Sequence, residues 1–377
     1  MLFRQTFEGL SGRSLVDAYD VVCCRVCGIG FADGLPQPEE FERYYARMSK
    51  YEHQSTGGRP SAPDEARCRS IAERVGALIP DRIVPVLDVG CSTGALLAAF
   101  KDAGFAEVEG LDPAPACAAL ALEAHDVPVR TGSAADIPEL GTVYGVVLLS
   151  AVLEHLLEPG VVLHDVRLAL KEGGYVFVEV PDVEAFAAGA TVPYQEFSLE
   201  HINFFSLASL TNLLRVAGFT CVDAEHVKLQ WTSGMTVGVL HAVFRRSEET
   251  SERQADGVTR TALLAYVQAS ARIEEAVRAR IAALSKRGRP VLVWGVGTHT
   301  RHLLKAGAMD GLNIAAYVDS DPKCQGAELR GVPVLAPDAL SGRDEAILVS
   351  SGTLHHEIAR QIREELGAEN EIVLLYD

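Results

Sequence analysis

The sequence predicts an α/β protein built on a doubly wound, mostly parallel sheet. A second α/β unit follows it, and a small cysteine-bearing knuckle precedes it. Three observations predict this. Short apolar runs alternate with helical patterns through residues 63–246, the rhythm of a parallel sheet. Val84-Pro-Val-Leu-Asp88 stops in a turn carrying Gly90 and Gly94, then passes into an Ala/Leu-rich helix. The same strand, glycine turn and helix return at Pro290-Val-Leu-Val-Trp-Gly295-Val-Gly297.

Residues 1–62 stand outside that alternation. Cys24-Arg-Val-Cys27 has the spacing of two thiolates of a tetrahedral zinc site, but no second C-x-x-C pair exists. A complete site is therefore not expected, and a metal-free β-turn knuckle is the alternative. Pro38 to Glu52 begins as an amphipathic helix and leads to a polar, glycine-bearing stretch. That stretch is suited to a lid, with Tyr45 and Tyr51 offering hydroxyls to a substrate or packing at a seam. Asp64 to Leu78 reads as a helix feeding the first strand.

Gly90 and Gly94 let backbone approach a ligand, and the helix behind them offers free N–H groups. Ligands of open α/β sheets bind there, outside the carboxyl end of the first strand. Glu107 to Asp112-Pro113 is a second strand ending in an acid, 18 residues after Gly94, where a carboxylate can accept from a ribose diol. Val129 to Asp136 ends a third strand in another acid. Tyr144 to His155 is a fourth strand entering a helix, and Leu170-Lys-Glu-Gly-Gly174 turns into a fifth.

Asp-Val-Gly-Cys-Ser-Thr-Gly, Gly-Leu-Asp-Pro, Leu-Glu-His and Leu-Lys-Glu-Gly-Gly, in that order, resemble a class I S-adenosylmethionine-dependent methyltransferase with a Rossmann-like sheet, over roughly residues 65–245. The resemblance implies that Asp88, Gly90, Cys91 and Gly94 line the methionine and ribose of the cofactor. It places Asp112 and Pro113 at the ribose, Ser133, Ala134 and Asp136 at the adenine, and Ser150 at the cleft. Ser92 stands where the family often has glycine, and Gly145 where it often has Asp.

Val192 to Ser206 contains Glu200-His201-Ile-Asn203-Phe-Phe-Ser206. Ser206 can cap a helix over 207–217, so Glu200, His201 and Asn203 lie on a loop at the substrate side of the cleft. A histidine there can take a proton near neutral pH, with an acid nearby to orient it. The alternative is a histidine that fixes the loop by bonding backbone. His155 reads as structural, at the start of a helix under the sheet. Strands over 219–226 and 236–246 close the domain, and 247–257 is a polar linker.

Residues 259–286 read as a long helix. Leu263, Val267, Ser270, Ile273, Val277, Ile281 and Leu284 form one stripe, to pack between domains or against a second copy in a homodimer. Residues 288–377 repeat the α/β pattern and resemble a Rossmann half-domain, with Asp319 22 residues after Gly297. Thr300 replaces the third fingerprint glycine, so NAD is not expected; a phosphate or sugar could still sit at the turn.

The order of knuckle, cofactor domain with its Glu-His loop, and C-terminal Rossmann-like domain resembles the three-domain sugar C-methyltransferases, which act on nucleotide-linked keto-sugars. That resemblance implies His201 as general base, Glu200 beside it and Tyr51 over the site. Asn203 is a further donor to a developing enolate. Only Cys24 and Cys27 match the family's four zinc cysteines. O-methylation of a saccharide, and a non-catalytic sensor that binds the cofactor, are the other readings.

Composition bounds the rest. The chain has 377 residues, 48% of them hydrophobic, enough for more than one core. A net charge of −17 argues against nucleic acid or an anionic membrane as partner. No apolar run is long enough for a membrane span and the first residues lack a signal-peptide core. The eight scattered cysteines suit a cytoplasmic protein with reduced thiols.

Overall fold

The computed structural model describes residues 1–9, 16–37, 40–41, 59–141, 143–232, 235–247, 254–352 and 354–376, and counts of elements are counts among these described residues. Strands β1 (Phe3–Thr6), β2 (Ala18–Cys23) and β3 (Gly30–Asp33) pair antiparallel in sequence order. The Cys24–Cys27 turn links β2 to β3, closed by the Gly28 N–H on the Cys24 carbonyl. So short a ribbon is marginal alone. It gains a fourth strand from residues 203–204, where Phe31 pairs with Asn203 and Gly30 with Phe204.

Helix α1 (Ala62–Leu78) starts at Ser61, whose Oγ accepts the Asp64 N–H at 3.4 Å. The predicted alternation follows: β4 (Val86–Val89), α2 (Ala95–Asp102), β5 (Val108–Asp112), α3 (Pro115–His125), β6 (Val129–Thr131), β7 (Tyr144–Ser150), α4 (Pro159–Ala169) and β8 (Leu170–Pro181). Then come α5 (Val183–Gly189), β9 (Asn203–Phe204) and α6 (Leu207–Val216). The hairpin of β10 (Phe219–Thr232) and β11 (Met235–Arg246) closes the sheet. Strand order is β10-β11-β8-β7-β4-β5-β6, with β4 to β8 parallel and β11 antiparallel to β8. The order reverses between β4 and β7, which opens a cleft at their carboxyl ends. Helices cover both faces, so β7 buries Val146, Val147, Leu148 and Leu149 completely and reads as an unbroken apolar run.

Gly145 explains one departure from the resembled family. A Cβ there would fall 2.4 Å from Val84 Cβ, so β7 starts too close to the chain before β4 for any side chain.

Helix α7 (Val258–Ser285) uses its stripe inside the chain. Leu263 and Tyr266 pack with the N-terminal sheet and the 192–206 loop, whereas Val277, Ile281 and Leu284 join the C-terminal core. That core surrounds β12 (Val291–Trp294), α8 (Thr298–Lys305), β13 (Ile314–Val318), β14 (Glu328–Leu329), β15 (Val332–Leu335), β16 (Ala346–Val349), α9 (His355–Arg360) and β17 (Ile372–Leu374). Their sheet runs β14-β15-β13-β12-β16-β17, and chain order reverses again, between β12 and β16. Among the described residues no helix is long and apolar enough to cross a membrane.

Candidate active site

Asp88, in β4, is 2% exposed and its Oδ1 has no hydrogen-bond partner. Burial pushes its carboxyl well above the ordinary range. A buried acceptor left unpaired beside a cleft is suited to a donor from a ligand. Gly90 has φ +72°, and a Cβ there would sit 2.9 Å from Val152 Cγ2, so glycine keeps this turn open. Ser92 adopts φ 51°, which accounts for the glycine common at this point in the resembled family.

Asp112 ties the turn to the next strand. Its Oδ2 accepts the Ser92 N–H at 2.8 Å and its Oδ1 the Ala114 N–H at 2.9 Å. Cys117 adds a side-chain hydrogen bond to the same carboxylate, which leaves one of its four lone pairs for a ribose hydroxyl. Gly94 caps α2 without a side-chain bond, leaving the first helical N–H groups to a ligand. S-Adenosylmethionine therefore fits the residues expected to hold it, with three adjustments. The Cys91 thiol packs in the core around β4 and against Gly110, so only its backbone faces the turn. Ser133 and Asp136 cap one another, with the Ser133 N–H on Asp136 Oδ2 at 2.6 Å, and so build the turn carrying Ala134 beside exposed Pro113 and the β5 end. Ser150 Oγ bonds Arg67 Nη2 at 2.7 Å and Glu179 Oε1 at 3.0 Å, so it serves a network inside the cleft.

That network was not legible beforehand. Arg67 on α1 grips Glu179 of β8 with two nitrogens, at 2.9 Å and 2.5 Å, and His241 of β11 meets the same carboxylate at 2.6 Å. Burial alone would raise the Glu179 pKa; the bonds from His241 and Arg67 and their charges bring it to about 2. Arg67 also lies close enough to Asp88 to lower its pKa.

The Glu-His loop packs against the turn after β7, and this corrects the position expected for His155. A 3₁₀ turn over Leu153–His155 directly follows β7, at the carboxyl edge of the sheet and not under it. His155 Nδ1 is 3.0 Å from the Glu200 carbonyl, and its ring stands edge-on to His201 with centroids 5.0 Å apart. The Glu200 and His201 N–H groups both donate to Ser198 Oγ, at 3.2 Å and 3.0 Å. Glu154 is 1% exposed, with Oε2 unpartnered and a pKa raised by burial to about 8. Glu154, His155 and His201 bring one polar atom each within 4.8 Å of one another. Asn203 is corrected from substrate donor to loop anchor, because its Nδ2 donates to the Leu153 and Leu156 carbonyls at 3.0 Å and 2.6 Å. Tyr45 and Tyr51 lie outside the described residues.

Among the described residues the zinc expectation has two donors. Cys24 and Cys27 share one turn, and hydrogen bonds from the Cys27 and Val26 N–H groups lower the Cys24 pKa. Among the described residues no third metal-ligating side chain joins them. Two donors do not make a structural zinc site.

Residues 38–224 match the methyltransferase-domain family, and residues 288–373 match a family described as C2185-like, N-terminal. A ubiquinone biosynthesis O-methyltransferase of Methylobacterium nodulans is 26% identical over 195 residues, which cover 47% of this chain and 78% of that protein. Among solved structures, a 1,6-didemethyltoxoflavin-N1-methyltransferase of Burkholderia thailandensis, with bound 1,6-didemethyltoxoflavin and S-adenosylhomocysteine, aligns at 21% identity and a TM-score of 0.43. The alignment covers 61% of this chain and 99% of that one. The PH0226 protein of Pyrococcus horikoshii aligns at 20% identity and a TM-score of 0.40, covering 54% of this chain and 99% of that one.

Proposed function

We propose that this chain, whose residues 38–224 match a methyltransferase-domain family, is a class I S-adenosylmethionine-dependent methyltransferase that methylates a small polar acceptor with His201 as general base. A nucleotide-linked keto-sugar is the leading acceptor. The observation that carries the reading is the meeting of His201 with His155 and buried Glu154 at the carboxyl end of β7, beside the cofactor turn.

The cofactor supplies an electrophilic methyl group. The chain's residues do the rest by placement. Asp112 and the Gly90 turn hold and orient the nucleoside end. Arg67, clamped by Glu179, sets a cation beside Asp88. His201 takes a proton from the acceptor carbon or hydroxyl, a step that typically supplies about 10²- to 10⁴-fold. His155 fixes the loop through the Glu200 carbonyl and packs edge-on against the His201 ring. The sugar acceptor is supported by the order of units along the chain, knuckle, cofactor domain and second α/β unit.

O-Methylation of a small acceptor is the second reading, favoured by the likeness to a protein named as an O-methyltransferase over most of that protein's length. Mass spectrometry of reactions with S-adenosylmethionine and a panel of nucleotide-linked sugars, keto-sugars and catechols separates the two. One added methyl on a sugar carbon supports the first reading. Methyl on oxygen supports the second. His201→Ala with normal turnover would remove the general-base assignment, and cofactor binding with no product on any acceptor would leave a sensor.

A further inference from the structure

The C-terminal unit repeats the cofactor turn, and it does so beside an open cavity. Asp112 accepts the N–H of Ser92 in the glycine turn at 2.8 Å and the N–H two residues ahead of itself, at Ala114, at 2.9 Å. Asp319, at the end of β13, accepts the Val296 N–H at 2.9 Å and the Asp321 N–H at 2.9 Å. The two carboxylates thus occupy the same place in two separate sheets, each at the end of the strand next to the one where strand order reverses. At the second point lies a cavity of about 620 Å³, lined by Gly295, Gly297, His299, Asp319 and Ser350, with Gln195 from the neighbouring domain. That is room for a nucleoside and its phosphates.

We propose that this cavity binds a ribonucleoside ligand, with the 2′- and 3′-hydroxyls on Asp319. Each Asp319 oxygen has spent one lone pair on backbone and keeps one for a hydroxyl. The wall is acidic, since Glu357 and Glu365 line it along with Arg360, whose guanidinium is already 3.2 Å from Glu365. Ribose is therefore the handle, and phosphates extend toward the start of α8, which has no side-chain cap. His299 adds an unsatisfied polar atom at the wall. Its Nε2 meets the Tyr376 hydroxyl at 2.6 Å while its buried Nδ1 has no partner. A dinucleotide is disfavoured by Thr300, which is fully buried and bonds the Gly295 carbonyl at 2.7 Å where a third glycine would let helix and strand close up. Val192 and Gln195, at the start of the segment leading to His201, also line the cavity, so an occupant sits against the approach to the active-site loop.

The inference does not depend on methyl transfer, and its test reads binding alone. The full chain is saturated with S-adenosylhomocysteine to fill the first cleft. It is then titrated calorimetrically with the 5′-diphosphates of adenosine, guanosine, uridine and cytidine, and with each 2′-deoxy counterpart. At least one ribonucleotide binds, and its deoxy form binds on the order of tenfold more weakly, because a carboxylate loses a hydroxyl donor. Asp319→Asn weakens the ribonucleotide by a similar factor and leaves S-adenosylhomocysteine affinity unchanged. No saturable binding, equal affinity for ribo and deoxy forms, or an Asp319→Asn chain that folds and binds normally overturns the proposal. The ribo-to-deoxy ratio on the unaltered chain stays decisive should the variant fail to fold.

Discussion

His155 holds the Glu200 carbonyl at 3.0 Å and lays its ring edge-on to that of His201, centroids 5.0 Å apart. Two residues 46 positions apart in the chain are thereby brought into ring contact. His155→Phe keeps the ring contact and loses the bond to the loop. The expected result is a kcat lower by about tenfold or more, with the Kd for S-adenosylhomocysteine within about twofold. Unchanged kcat would leave His155 as packing only.

Asp112→Ala removes the acceptor placed for ribose. Affinity for S-adenosylhomocysteine should fall by about 10- to 100-fold, as for lost hydrogen bonds to a charged group. Calorimetric titration checks this, and wild-type affinity would move the ribose elsewhere.

Glu179→Gln breaks a buried pair that Arg67 and His241 share. The carboxyl is more acidic folded, about 2, than its ordinary 4.5, so its contribution is complete above pH 4.5 and lost as pH falls toward 2. The variant should lose about 3 kcal/mol at pH 7, and the gap to wild type should narrow below pH 4.5. Urea unfolding across that range tests the sign.

Glu154 titrates the opposite way. Its pKa is raised from 4.5 to about 8, so the folded state favours the neutral acid, and stability drops as pH rises between those values. Glu154→Gln removes that penalty. The variant should be the more stable protein at pH 9 and differ least below pH 4.5, read by thermal unfolding at both ends.

Gly145→Ala pushes a Cβ toward Val84, 2.4 Å away. The expected cost is about 1–3 kcal/mol without change in cofactor affinity, because the clash lies at the start of β7, remote from its functional end. Chemical denaturation and a cofactor titration read the two effects separately.

Much of the backbone of the candidate cleft was legible because each part is local. Asp88, Gly90, Gly94 and Asp112 come from one strand, turn, helix and strand, where backbone conformation and buried runs leave their mark in the order of residues. The cap at Ser206 was legible for the same reason. The Arg67–Glu179–His241 network was not, because its members lie 112 and 62 positions apart and no periodicity announces them. Nor was the commitment of Asn203 to backbone, which depends on where the turn after β7 comes to rest.

By itself the sequence determined the alternation of strands and helices, the glycine turns, the acids that close them and the loop that carries Glu200 and His201. These follow from side-chain pattern and local backbone preference. Only the tertiary structure decided that β9 would complete the N-terminal sheet, that α7 would spend its stripe joining two cores of one chain, and that Glu154 and His155 would stand with His201. Strand pairing and burial are settled between distant segments competing for the same apolar surface, and that competition is resolved only in the folded chain.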